Sequence, residues 1–264
     1  MEALLKVHDC VIQLCNTLGK EIAMTAWASR SRDDETVAQR IERRLTVEIL
    51  SGERAPGSRL PSIRALAVEA GTTPPTIQRV IAGLERTGLV CAVRGSGVRV
   101  NDPARCGDLS LAPLWMEAYA GQPQRQVAIL ADFLELRRVI AAHLVRTRRA
   151  ALLSAAPRLA LAATLPRGTL GERLEADLAF SRAVLEAAGQ SAAVTIFNTV
   201  ERLVREVPYV AESFYDDPES HQRALLAVVA AVASGGDGAE ALEAWDETVL
   251  ARFGAYVTRD GGVR

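Results

Sequence analysis

The sequence predicts a mainly α protein: an N-terminal unit of three helices closed by a β-hairpin, followed by an all-α helical bundle. Three observations predict it. Apolar residues recur every third or fourth position along most of the chain, the period of a helix with one buried face. Glycine and proline interrupt these series about one helix length apart. Two short apolar runs, 89–93 and 98–100, flank a glycine-containing turn, as in a hairpin. The 264 residues are enough for two cores at roughly 150 residues per domain. With 49% apolar and 24% charged residues, the composition is that of an ordered, water-soluble globular chain.

Residues 1–33 read as an N-terminal helical extension. Leu4, Val7, Val11, Leu14 and Leu18 form a narrow apolar seam, suited to packing on the protein's own body or to a dimer contact. Ser31-Arg32-Asp33-Asp34-Glu35 then breaks the pattern and supplies acidic residues for the first turn of a new helix. A domain is expected over 34–103. Its first helix carries Val37, Ile41, Leu45 and Ile49 on one face and ends at Gly52, before Pro56-Gly57. A second, after Leu60-Pro61, carries Ile63, Leu66, Ala67 and Ala70 and stops at Gly71. The third starts at Pro74, with Thr73 at the N-cap and Pro74 and Pro75 in the first turn, where a missing N–H costs little. It continues through Ile77, Val80, Ile81 and Leu84 to Gly88. Leu89–Val93, the turn Arg94-Gly95-Ser96-Gly97 and Val98–Val100 complete a hairpin.

Helix, helix, four-residue turn, helix and a basic hairpin is the order of a winged helix-turn-helix, whose third helix enters the major groove of DNA. A helix fits that groove, its N-terminal N–H groups favour phosphate, and a glycine-tipped hairpin can approach the backbone. Charge agrees with this reading. Residues 40–100 hold ten Arg against five Glu, a net of +5, whereas residues 104–264 have a net of −3. The basic segment is suited to a polyanion.

The residues Ile49-x-x-Gly52-Glu53-x-x-Pro56-Gly57-x-x-Leu60-Pro61-Ser62-x-Arg64-x-Leu66-Ala67, then Gly71, Leu84-Glu85-x-x-Gly88-Leu89 and Gly95-x-Gly97, resemble the GntR family of bacterial transcription regulators. The resemblance spans 36–102 and implies double-stranded operator DNA as partner. It further implies that Arg64 holds phosphate or a base edge and that Thr73 and Thr76 touch backbone. Gln78 and Arg79 would face the groove, where Gln suits adenine and Arg suits guanine, with Gly95 at the wing tip. Pro74 departs from the family pattern, in which an Arg commonly follows the capping residue.

Residues 104–124 read as a linker with a short helix near Leu114–Ala118, and 125–259 as an all-helical effector-binding and dimerisation domain. Helices are expected at about 126–149, 156–164, 169–188, 191–206, 218–233 and 237–256. The phrases Glu135-Leu136-Arg137-Arg138, Asp177-x-x-Phe180-Ser181, Ala188-Gly189-Gln190 and His221 before Gly236-Asp237 resemble the FCD-type effector domain of the FadR subfamily. That resemblance implies a divalent metal held by one Asp and three His, and a small carboxylate effector. Asp177 matches the Asp; Ser181 stands where the first His would be, Thr248 near the last, and His221 about one turn before the third. The set is degenerate, so no metal and no other cofactor is expected. Arg137 and Asp177 lie on apolar stripes facing inward. Either they form a buried ion pair fixing helix register, or Arg137 receives a ligand carboxylate in a bidentate fork, with Asp177, Ser181 and His221 around it. His143 reads as a satisfied core residue, and His221 as near the start of its helix with Asp217 or Ser220 as cap.

Enzymatic readings are weak. No P-loop, HExxH or GxSxG occurs, both lysines precede residue 21, and three scattered His have no nucleophile. The four cysteines lack CxxC spacing, and no run nears the ~20 apolar residues that cross a bilayer. The expectation is a cytoplasmic, homodimeric regulator, a repressor before an activator, that binds a palindromic operator and answers a small organic acid. The alternative is a constitutive DNA-binding and dimerisation protein whose effector domain binds nothing. A metal-dependent enzyme built on Asp177 and His221 is a third reading.

Overall fold

In a computed structural model, residues 35–166, 168–236 and 238–259 are described. The chain divides into two compact units, Met1–Val37 and Ala38–Arg264. The apolar seam from Leu4 to Leu18, Cys10, Cys15 and the break at 31–34 lie outside the described residues.

The winged unit follows the sequence closely. Helices α1 (Val37–Leu50), α2 (Ile63–Glu69) and α3 (Pro74–Arg86) precede strands β1 (Val90–Val93) and β2 (Gly97–Val100). Leu45, Leu66, Ile77, Val80, Leu84 and Leu89 are wholly buried in one cluster, so the expected apolar faces meet in one core. β1 and β2 pair antiparallel, from Val90 opposite Val100 to Val93 opposite Gly97. A third extended piece, Ser58–Leu60, adds to the other edge of β2 through Leu60 N–H to the Val98 carbonyl and Val100 N–H to the Ser58 carbonyl, both 2.9 Å. Gly88 sits at φ +76°, where a Cβ would lie 1.9 Å from the Cys106 carbonyl oxygen; only glycine fits between α3 and the chain that follows the wing.

Residues 104–124 are largely helical. After α4 (Pro103–Cys106) and a 3₁₀ turn (Leu109–Leu111), α5 (Ala112–Ala118) covers the short helix expected at 114–118. Leu111 and Ala118 pack into the winged core, whereas Ala112 and Met116 pack into the core of the bundle. Arg43 of α1 ties to Glu117 of α5 at 2.7 Å.

The bundle comprises α6 (Pro123–Thr147), α7 (Arg149–Ala162), α8 (Leu170–Ala187), α9 (Ser191–Glu206), α10 (Pro208–Tyr215), α11 (Pro218–Ser234) and α12 (Ala239–Arg259). Two differences from the sequence expectation are physical. Pro208 is read as a break, yet it begins α10 at the first helical position, where its absent N–H has no role. Pro157 lies inside α7, which runs from Arg149 rather than starting near 156; the carbonyl that loses its donor belongs to Leu153, on the exposed side. α8 begins with a reciprocal capping box between Thr169 and Glu172.

Asp217 caps α11, its Oδ1 accepting from the Ser220 N–H at 3.0 Å, and also binds Arg252 of α12 at 3.0 Å. The Ser220 amide, followed by Arg252, holds the Asp217 carboxyl down at about 2. Since the folded value is depressed, this contribution is present above the ordinary carboxylate range and is lost as pH falls towards 2. Replacing Asp217 with Ala is expected to cost about 1 kcal/mol at pH 7. Urea melts should show that difference shrinking between roughly pH 4 and 2.

Candidate functional site: nucleic-acid interface and buried polar cluster

The two candidate sites are both set by which charges find partners. On the winged unit, α3 buries Ile77, Val80, Ile81, Gly83 and Leu84 and leaves Gln78 and Arg79 exposed. Arg64 of α2, Thr73 and Gly95 are exposed too, and Thr76 is half-buried. Gly95 has φ +74°, in open space at the wing tip. All six expected contacts therefore lie on or near the surface.

The start of α3 differs in detail from the sequence reading. Thr73 occupies the N-cap position but makes no side-chain cap bond; its Oγ1 is 3.0 Å from the Thr76 Oγ1. Pro74 and Pro75 remove the first two N–H groups, and the Thr76 and Ile77 amides both reach the Thr73 carbonyl. The N–H groups expected to attract phosphate are thus missing or engaged. What the α3 start offers an anion is the hydroxyl pair and Arg79.

Arginines on the winged unit separate into two groups. Arg43 pairs with Glu117, Arg44 with Glu48 and Glu69, and Arg54 with Glu48. Arg86 acts on Glu42, whose carboxyl is raised by burial against that opposing charge. In contrast, Arg59, Arg64, Arg79, Arg94 and Arg99 have no acidic partner among the described residues, and all five are exposed. The unneutralised set includes both arginines named from the sequence. It adds Arg59, Arg94 and Arg99, for which the signal available was Arg99 alternating with Val98 and Val100.

Inside the bundle, Asp177 (α8) accepts from the Tyr215 hydroxyl (α10) at 2.8 Å, and His221 Nε2 (α11) lies 3.2 Å from its other oxygen, off the hydrogen-bond axis. The His221 ring stacks on Trp245 (α12), centroids 4.7 Å apart and planes within 6°. Arg137 (α6) pairs with Asp246 (α12), and its guanidinium lies over the Phe214 ring. Arg252 lies over Trp245. The direct Arg137–Asp177 pair is therefore not formed. Asp246, one residue from the apolar stripe of Trp245, Val249 and Phe253, takes Arg137, and Tyr215 and His221 take Asp177.

Of the other expected residues, Ser181 is half-buried and forms no hydrogen bond with Asp177 or His221. Thr248 bonds the Ala244 carbonyl of its own helix at 3.0 Å. His143 is exposed on α6, not in the core as its spacing suggested. Among the described residues no group of three or more His, Cys, Asp or Glu is placed to hold a metal ion. Two open clefts, of about 360 and 760 Å³, lie elsewhere, along Arg182–Arg205 and beside α4 and Trp115.

The cluster is not saturated. Arg137 Nε, His221 Nδ1, Trp245 Nε1, Arg252 Nη1 and Asp246 Oδ2 are buried without a hydrogen-bond partner. Such atoms each cost about 1–3 kcal/mol when left unmade. Burial pushes the Asp177 carboxyl up, but His221, the Tyr215 hydroxyl and Arg137 outweigh it and hold it below its ordinary value. Burial, then Asp177, pushes the Tyr215 phenol well above its usual range. Burial also raises Asp246 against the pull of Arg137. Tyr215→Phe keeps the ring and removes a donor to a buried carboxylate. A loss of about 1.5–3 kcal/mol is expected by urea denaturation at pH 7, diminishing as acid protonates Asp177.

Residues 37–100 match the family described as bacterial regulatory proteins, gntR family. Over 213 residues, 79% of this chain and 85% of the relative, the chain is 28% identical to the uncharacterized HTH-type transcriptional regulator Rv0494 of Mycobacterium tuberculosis. It is 39% identical over 56 residues to the uncharacterized HTH-type regulator YhcF, and 30% over 74 residues to the HTH-type transcriptional repressor YtrA, both of Bacillus subtilis. Those matches cover 21% and 28% of this chain, and 46% and 57% of the two relatives. Among solved structures, Lar of Listeria monocytogenes aligns over 86% of this chain and 97% of its own, at 18% identity and a TM-score of 0.38. Residues 37–100, which carry the exposed face of α3 and its wing, are thus similar to the gntR family of bacterial regulatory proteins, and the longer match extends that similarity to an HTH-type transcriptional regulator.

Proposed function

We propose that this regulator is a cytoplasmic homodimer that grips a palindromic operator with two winged units and changes its grip when a small organic acid enters the bundle. The observation that carries the DNA half is the unneutralised arginine set around α3 and the wing. In this reading Arg64 holds phosphate or a base edge, Thr73 and Thr76 contact backbone, Gln78 and Arg79 read base edges, and Gly95 lets the wing tip approach the sugar-phosphate chain. Repression follows the family resemblance, and one relative, YtrA, is named a repressor. No helix among the described residues is long and apolar enough to cross a membrane.

The division into a DNA-reading unit over 34–103, a connecting stretch over 104–124 and an effector bundle over 125–259 is part of the proposal. The unpaired donors of Arg137, His221, Trp245 and Arg252 support an acceptor-rich ligand. The coupling route runs through α10. One end carries Phe214 and Tyr215 at the cluster; the other carries Tyr209, whose hydroxyl is 3.5 Å from Gln126 Nε2. Gln126 donates to the Met116 carbonyl of α5 at 2.9 Å, and α5 is shared with the winged core. An effector alters DNA affinity only by favouring one placement of that connection.

One observation favours the alternative, a constitutive DNA-binding protein with a degenerate bundle: Arg137 already has Asp246 as its carboxylate. Thermal-shift screening of di- and tricarboxylic acids separates the two. The effector reading expects at least one acid to raise the wild-type midpoint, by about 2.7 kcal/mol of stabilisation at 100 times its Kd, with the shift abolished in Arg137→Ala and weakened in Arg137→Lys. Equal responses, or none with any acid, support the alternative. For the DNA half, Arg79→Ala should relax discrimination at one operator position by about 1–3 kcal/mol if the side chain reads a guanine. An unchanged base preference in a randomised-duplex selection rules out that role.

A further inference from the structure

We propose that Arg59 and Arg99 together form a phosphate-binding rung on the outer face of the wing sheet, separate from the recognition helix and the wing tip. The inference rests on the DNA-binding reading and extends it to two residues outside the motif contacts. Arg59 and Arg99 stand directly opposite one another across an antiparallel bridge. The bonds from Leu60 N–H to Val98 and from Val100 N–H to Ser58 bracket them, which makes them a non-hydrogen-bonded pair. In that arrangement the two Cα atoms are only ~4.5 Å apart and the side chains leave the sheet side by side. Both residues are exposed, whereas their neighbours Leu60 and Val100 are buried, so the two guanidiniums share the solvent face.

Like charges directly opposite on one sheet face are destabilising. Among the described residues nothing relieves the repulsion. Neither arginine has an acidic partner among the described residues, although Arg43, Arg44 and Arg54 of the same unit are each neutralised. The third residue of the row, Cys91, paired with Arg99 on the other side, is exposed and uncharged. The missing component is an anion that bridges two forks about one strand spacing apart. A phosphodiester oxygen pair meets that need, since guanidinium and phosphate match in bidentate geometry. Because phosphates carry no base identity, the rung supplies affinity and register without specificity.

Salt dependence tests it. Full-length wild type, Arg59→Gln/Arg99→Gln and Arg59→Lys/Arg99→Lys are titrated with a fluorescein-labelled 30-base-pair random-sequence duplex between 50 and 200 mM NaCl. If each arginine neutralises one phosphate, the slope of log K against log salt becomes shallower by about 2 in the Gln pair, near 0.9 per contact. Over that salt range the wild type then loses about 12-fold more affinity than the Gln variant. The Lys pair should keep the wild-type slope, and sequences selected from a random library should be the same for all three proteins. A wild-type slope and affinity in the Gln pair overturn the rung and leave the DNA reading intact. A change in selected sequence overturns the claim of a non-specific contact, and failure of the wild type to bind any duplex at 50 mM overturns both readings.

Discussion

Among the described residues, five arginines of the winged unit, Arg59, Arg64, Arg79, Arg94 and Arg99, stand without an acid, while Arg43, Arg44 and Arg54 are neutralised. A free guanidinium on a protein surface is inexpensive, and one surface ion pair contributes only about 0–1 kcal/mol. The separation therefore adds little to stability. Its consequence is electrostatic: positive potential gathers on the surface formed by α2, α3 and the wing. The fold keeps that surface available. α3 buries one side against α1 and α2, Gly88 closes the chain tightly beneath the wing, and Glu85 accepts from the Ala92 N–H at 2.8 Å to hold the wing on the helix.

In the bundle, by contrast, the charged groups find partners. Charge there is locally balanced: Asp177 by Tyr215 and His221, Asp246 by Arg137 and, nearer the surface, Asp217 by Arg252. Balance is incomplete, because several ring and guanidinium nitrogens have no acceptor. A cluster of this kind links five helices, α6, α8, α10, α11 and α12. α5 joins the bundle to the winged unit, since its residues contribute to both cores and Glu117 reaches back to α1.

Most of the winged unit was legible in the sequence because its signals are local. The four-residue apolar period of α1, the Pro pair at the head of α3 and the Gly-tipped turn each specify one element through its own residues. Arg64 and Arg79 could be named from position alone. The Arg59–Arg99 pair could not, because it depends on Ser58–Leu60 crossing to β2, a pairing between segments some 40 positions apart. In the bundle, periodicity located α8, α9 and α11 but not their contacts. Arg137 and Asp177 both lie on inward stripes, yet which acid meets Arg137 depends on the relative rotation of α6 and α12. Asp246 gave no signal of its own beside a Trp. α10 was missed because a proline at a helix start reads the same as one at a helix stop.

Arginine-selective chemical footprinting of the full-length protein tests the central claim most directly. Phenylglyoxal labelling, read by peptide mass spectrometry with and without a duplex at low ionic strength, reports each guanidinium separately. The account predicts protection of Arg59, Arg64, Arg79, Arg94 and Arg99 by the duplex, with exposed Arg146 and Arg158 of the bundle equally reactive in both states. Unchanged labelling at the five winged-unit arginines, or protection falling on the bundle instead, would contradict it.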